Sequence, residues 1–106
     1  MSQQSCERAA TAARELLAAA RGRLPWLKRV GVLPGGCPDG REVWQSEFQS
    51  NGVTVLWPEL CAAESDLVVK AHRLLELGAE ILVASPADAE TLAGAGLLAP
   101  VFAVRE

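Results

Sequence analysis

Seven residues near the middle of the chain, PGGCPDG at positions 34–40, most constrain how it can fold. Two prolines and three glycines in seven positions exclude a regular helix or strand, because proline lacks a backbone N–H and glycine loses the most entropy on ordering. We therefore predict a loop. It follows residues 28–33, which we predict to form a short buried strand, and loops after strands often carry function in α/β folds. The residues of interest in this loop are Gly35, Gly36, Cys37, Asp39 and Arg41.

The pattern before the loop predicts a helix over residues 5–22. Its apolar residues recur at the i, i+3, i+4, i+7 spacing of an amphipathic helix, with Ser5 as the cap and Gly22 as the end. After the loop, Asn51-Gly52 is the preferred pair for a type I′ turn, and we expect it to close an antiparallel hairpin. The apolar face of that hairpin consists of Trp44, Phe48, Val53, Val55 and Trp57.

The second half of the chain has the pattern of parallel βαβ units. We predict a helix within residues 58–77, a strand buried on both faces over 80–84, a helix capped by Ser85, and a last strand over 100–104. The order of elements is α-β-β-β-α-β-α-β. The fold class is therefore predicted as α/β, with one domain over residues 1–106 and a mixed sheet of about five strands with packed helices.

Composition excludes several classes of protein. The 106 residues are 50% hydrophobic with a net charge of −3, which is typical of one small globular domain and not of a disordered chain or a strongly basic nucleic-acid binder. The three cysteines contain no CxxC pair, which argues against a disulfide framework and a thiolate zinc site. The sequence has neither a signal-peptide pattern nor a transmembrane run, so we expect a cytoplasmic protein that does not bind a membrane.

The charge is unevenly distributed, because residues 1–33 carry an excess of arginine over acid and the remainder is acidic. Arg8, Arg14 and Arg21 of the predicted first helix form a candidate basic surface. Nucleic acid is one partner for such a surface. A solvated helix face beside an acidic body is the favoured interpretation.

The segment from Cys37 to Arg41 is similar to the CxxGxR anion cradle of rhodaneses. Two features separate the chain from that family. The arginine comes one position too early, and rhodanese loops lead into a helix whose N-terminus helps to hold the anion, whereas we predict a strand after this loop. The segment therefore differs from the rhodanese motif in both spacing and context.

The predicted order of helix, three strands, helix and strand, with Pro38-Asp39 before the hairpin, resembles the restriction-endonuclease-like nucleases of the PD-(D/E)xK superfamily, particularly the VRR-NUC type. In that family an Asp and a later Glu bind Mg²⁺ and a Lys helps to activate water. The resemblance implies Asp39 and Glu59 as metal ligands and Lys70 as the helper. The sequence departs from the family by lacking its Glu-x-Lys motif, so Glu59 and Lys70 are displaced.

Since the sequence holds no complete catalytic motif, we expect a small non-catalytic α/β accessory or adaptor protein. It would act by binding a protein partner and by self-association as a homo-oligomer, without a cofactor. Two alternatives stay open. One is a Mg²⁺-dependent nuclease or its inactive descendant, and the other is a thiol-based sensor at Cys37.

Overall fold

The computed structural model describes residues 2–38, 40–97 and 99–104, which form four α-helices and four β-strands. Two single turns of 3-10 helix, Pro34–Gly36 and Pro58–Cys61, follow the first and second strands. The predicted loop at 34–40 is therefore not wholly irregular. In chain order the elements are α1 Ser2–Arg23, β1 Arg29–Val32, α2 Arg41–Ser50, β2 Thr54–Leu56, α3 Leu67–Glu76, β3 Ile81–Ala84, α4 Pro86–Ala93 and β4 Val101–Ala103.

The strands form one sheet in the order β2-β1-β3-β4, and every neighbouring pair is parallel. Val30 lies beside Val55 on one side and Ile81 on the other, which defines the register of β1 with β2 and with β3. The predicted α/β class is confirmed. The predicted number of about five strands is close to the four that the described residues contain, but the predicted mixed sheet is wrong, because no pair of these strands is antiparallel.

The predicted hairpin is wrong because its first strand is helix α2. Trp44 and Phe48 are four residues apart, a spacing that places two side chains on one face of a strand and equally on one face of a helix. Both side chains are buried, and their rings stack with centroids 5.6 Å apart. The other predicted strand exists as β2, but it pairs in parallel with β1.

The Asn51-Gly52 pair ends α2 instead of turning a hairpin. Gly52 has a φ of +76°, and its N–H donates to the Gln49 carbonyl at 2.9 Å while the Val53 N–H donates to the Phe48 carbonyl at 2.9 Å. These two bonds define a Schellman motif, in which glycine takes the left-handed position. The residue pair that favours a type I′ turn therefore serves equally well as a helix end.

A side chain caps the start of two of the four helices. The Asp66 side chain accepts hydrogen bonds from the first turn of α3, and the Ser85 side chain accepts one from the Asp88 N–H at the start of α4. The predicted cap at Ser5 and end at Gly22 are wrong, since α1 runs from Ser2 to Arg23. Longer helices gain stability from packing as well as from caps, and α1 packs along α2.

Two apolar layers cover the two faces of the sheet. Helices α1 and α2 pack on one face against Val30, Val32 and Val83. Helices α3 and α4 pack on the other face against Leu82 and Ala84. β3 is buried along its whole length, as expected for an inner strand of a parallel sheet. No helix in the described part of the chain is long and apolar enough to cross a membrane.

Candidate functional site

The carboxyl ends of β1 and β3 mark the place where open α/β sheets usually bind ligands. The chain leaves β1 through α2 towards β2 on one side, and it leaves β3 through α4 towards β4 on the other. Such a change of direction creates a crevice between the two strand ends. The loop of interest follows β1, so it lies at this crevice.

Gly35 and Gly36 are needed because the loop approaches β3 and α4 closely. A Cβ atom on Gly36 would lie 2.7 Å from the Ala84 Cα and from the Val83 carbonyl oxygen. A Cβ atom on Gly35 would lie 2.6 Å from an Asp88 carboxylate oxygen. The glycine turn therefore occupies the mouth of the crevice between the strand ends.

Beyond this turn, Cys37, Arg41, Trp57 and Glu59 form a cluster that we call the thiol–guanidinium cluster. The Arg41 Nη2 donates to the Cys37 sulfur at 3.0 Å, and its Nη1 donates to both carboxylate oxygens of Glu59 at 3.0 Å. The guanidinium carbon lies 4.7 Å from the centroid of the Trp57 ring. The Trp57 indole in turn donates to the Gln45 side-chain oxygen at 2.7 Å. Arg41 thus connects the ends of β1 and β2.

The charges in this cluster stabilise one another. Hydrogen bonds to the Cys37 sulfur and to Glu59 raise the pKa of the Arg41 guanidinium above its ordinary value. A hydrogen bond from its own backbone N–H, followed by those from Arg41, lowers the pKa of the Glu59 carboxyl. Cys37 is half-buried. By contrast Cys61 is buried, and burial raises the pKa of its thiol. Cys37 is therefore the more accessible of these two thiols.

One of the two objections to the rhodanese similarity is wrong. A helix does follow the loop, because α2 begins at Arg41. The other objection stands, because Arg41 lies one position earlier than the arginine of the rhodanese motif. The Arg41 guanidinium donates hydrogen bonds to Cys37 and Glu59.

The nuclease resemblance implies three site residues, of which the structure describes Glu59 and Lys70. Asp39 lies outside the described residues. Glu59 is paired with Arg41, and Lys70 lies on α3. The hairpin used in the resemblance is replaced by α2 and β2. Within residues 2–38, 40–97 and 99–104 there is no group of three or more His, Cys, Asp or Glu side chains arranged to hold a metal ion.

The predicted basic surface on α1 is directed largely towards α2. Arg14 donates to the Glu47 carboxylate at 3.0 Å, and Arg21 donates to the Asn51 carbonyl. Arg8 is exposed. Two of the three arginines therefore connect neighbouring helices.

A second candidate site lies at the outer edge of β4. The Pro100 carbonyl accepts from the Leu82 N–H at 3.0 Å, and the Val104 N–H donates to the Ala84 carbonyl at 2.9 Å. Backbone groups alternate in direction along a strand, so residues 100, 102 and 104 face β3 while Val101 and Ala103 face outwards. β3 is the only strand that pairs with β4 among the described residues.

A cleft of about 230 Å³ lies beside this edge, between α1 and the sheet. Trp44 lines the cleft and is 1% exposed, and its indole N–H has no hydrogen-bond partner among residues 2–38, 40–97 and 99–104. Phe102 and Val104 are partly buried side chains that pack against the same layer. The other lining residues are Ala12, Glu15, Leu16, Ala19 and Ala103.

Sequence reasoning identified the strand at 100–104 but missed its role as an edge. The sequence signal that points to this edge is the absence of charged residues from the run 99–104. The partners of Arg41 were also missed, since Glu59 is 18 positions away and no motif connects them. Comparison with protein-family models, with curated proteins and with solved structures finds no match for this chain.

Proposed function

We propose that the protein is a small non-catalytic α/β accessory or adaptor domain that binds another polypeptide as an added strand along β4. The observation that carries the proposal is the outward direction of the Val101 and Ala103 backbone groups. An edge strand with free N–H and C=O groups is a template for pairing with an extended segment. Main-chain hydrogen bonds would supply affinity, and neighbouring side chains would supply specificity.

The composition of the edge favours such pairing. Proteins commonly protect an open edge with charged side chains, which cannot be buried cheaply against another strand. Residues 99–104 are Ala, Pro, Val, Phe, Ala and Val, so the run carries no such charge. An added strand can therefore approach β4 without removing a charge from water.

The cleft beside the edge supplies an apolar contact for the added strand. Phe102 and Val104 project to the face covered by α1 and α2, where the cleft opens next to them. A large apolar side chain on the added strand would lie on this same face and could enter the cleft. Burial of apolar surface there would strengthen the pairing at about 25 cal/mol for each Å² removed from water.

The test is binding of a fluorescein-labelled peptide with the sequence of residues 97–104, followed by fluorescence anisotropy. Ala103→Pro removes an outward N–H and leaves the bonds to β3 untouched, whereas Ala103→Val at the same exposed position keeps that N–H. We expect saturable binding to the wild type and to Ala103→Val, and at least tenfold weaker binding to Ala103→Pro. Equal binding to all three proteins, or no binding to the wild type at a concentration where it is monomeric, would contradict the proposal. Circular dichroism and thermal melting establish that each variant is folded.

A further inference from the structure

We infer that the occupant of the β4 edge is a second copy of this chain, paired antiparallel about a two-fold axis that passes beside Phe102. The inference rests on the proposed function and names its partner. It is carried by the backbone alternation, by the absence of charge along the edge, and by the position of Phe102 between the two outward-facing residues.

The alternation fits a symmetric pairing. Residues whose backbone groups face outwards form the hydrogen-bonded pairs of an antiparallel ladder, and the residue between them forms a non-hydrogen-bonded pair. With the axis at Phe102, Val101 lies opposite the partner's Ala103 and exchanges both of its backbone hydrogen bonds with it. Phe102 then lies opposite the partner's Phe102. One continuous sheet would run through both copies.

The charge pattern also suits a second copy. A two-fold axis brings the same segment of both chains together, so a charged residue close to the axis would lie near its own counterpart. Residues 99–104 have no charge to oppose in this way. On the flanking helix, Arg14 and Arg21 point to α2 and are partnered by Glu47 and Asn51. The side of α1 that lines the cleft presents small and apolar residues with one carboxylate, Glu15.

The area required by a stable dimer indicates which surfaces must take part besides the strand. A typical specific interface buries about 800 Å² on each partner. This is about an eighth of the 6319 Å² surface of the described chain. A three-residue strand is too short to supply it alone, so the flank of α1 around the cleft must contribute. Ala12 and Ala19 allow close approach there, and Leu16 and Phe102 supply apolar area.

Cysteine crosslinking tests the register directly. In a Cys6→Ser, Cys37→Ser background, Phe102→Cys would place two thiols in a non-hydrogen-bonded pair with Cα atoms about 4.5 Å apart. That separation lies within the range of roughly 4.4–6.8 Å that a disulfide spans. Ala103→Cys is the matched control. Its Cα would lie about 8 Å from the Cα of the partner's Ala103, because the two residues are offset along the strands on either side of the axis. Such a pair cannot form a disulfide.

Diamide, a thiol oxidant, accepts two electrons and two protons as the two thiols form one disulfide. We expect Phe102→Cys to give a covalent dimer on a non-reducing gel and Ala103→Cys alone to remain uncrosslinked. An equimolar mixture of Val101→Cys and Ala103→Cys should crosslink to each other, which provides a second readout if Phe102→Cys fails to fold. Light scattering of the Cys6→Ser, Cys37→Ser protein should give twice the mass of one chain.

The outcomes separate this inference from the proposed function. A monomer at all concentrations whose β4 edge still binds the 97–104 peptide would overturn the second copy as occupant and leave strand addition intact. A dimer that crosslinks through Ala103→Cys alone, and not through Phe102→Cys, would overturn the register. A dimer unaffected by Ala103→Pro would overturn the inference, and peptide binding equally unaffected by Ala103→Pro would overturn the proposed function as well.

Discussion

Replacing Gly36 by alanine tests whether the glycine turn is seated against β3. The added Cβ would lie 2.7–2.8 Å from three backbone atoms of Val83 and Ala84. These atoms belong to a fully buried strand that is paired on both sides, so no side chain can rotate out of the way. Overpacking of this kind costs about 1–3 kcal/mol. The lower entropy of alanine in the unfolded chain offsets about 0.4–1 kcal/mol.

The net loss of about 1–2 kcal/mol corresponds to a fall in Tm of roughly 4–16 °C for a domain of this size. Differential scanning calorimetry measures it. Gly22→Ala is the matched control, because Gly22 lies in α1 with nothing within 4 Å of its added Cβ. That variant should be more stable by about 0.5–1 kcal/mol. A Gly36→Ala protein that melts at or above the wild-type temperature would refute the placement of the loop in the crevice.

Three further outcomes are expected. The pKa of the Glu59 carboxyl is lowered in the folded state, so its contribution to stability is complete above about pH 4.3 and is lost as the pH falls through the lower folded value. The Glu59→Gln protein should therefore lose less stability on acidification than the wild type. Acid denaturation followed by circular dichroism measures this difference. Iodoacetamide should alkylate half-buried Cys37 faster than buried Cys61 in the Cys6→Ser protein near neutral pH. Mass spectrometry measures the two rates of alkylation. Equal rates would contradict the structure around both thiols. Plasmid DNA incubated with the protein and Mg²⁺ should remain intact. Cutting by the wild type that is lost in Asp39→Ala would contradict a non-catalytic function and support the nuclease alternative.

The elements predicted correctly are those whose local signals agree with their packing. The continuous pattern of residues 80–84 predicts a strand buried on both faces, and β3 is such a strand over Ile81–Ala84. Ser85 predicts a helix start, and its hydroxyl caps α4. In each case the chemistry that specifies the element lies within a few residues of it.

The error at α2 has a physical cause in the ambiguity of its pattern. A spacing of four between Trp44 and Phe48 satisfies both periodicities, and Asn51-Gly52 suits both a hairpin turn and a helix end. What decides between them is packing against α1, which is remote in sequence. The residue between the two aromatics, Ser46, favours the helix. On a strand it would share their face, whereas in the structure it is exposed.

The candidate sites depend on strand order, which local patterns do not specify. Cys37 was identified from its loop, but its contact with Arg41 and the pairing of Arg41 with Glu59 require β1 and β2 to lie side by side. Likewise, the strand at 100–104 becomes an edge only because β4 is last in the sheet. These are consequences of long-range pairing.

Amide hydrogen exchange at β4 tests strand addition most directly. NMR can follow the N–H groups of Val101 and Ala103, which face outwards, alongside that of Val104, which donates to Ala84. At a protein concentration low enough for the chain to be monomeric by light scattering, saturation with the 97–104 peptide should slow exchange at Val101 and Ala103 at least tenfold and leave Val104 unchanged. Exchange at Val101 and Ala103 that is equally fast with and without the peptide would contradict strand addition at β4.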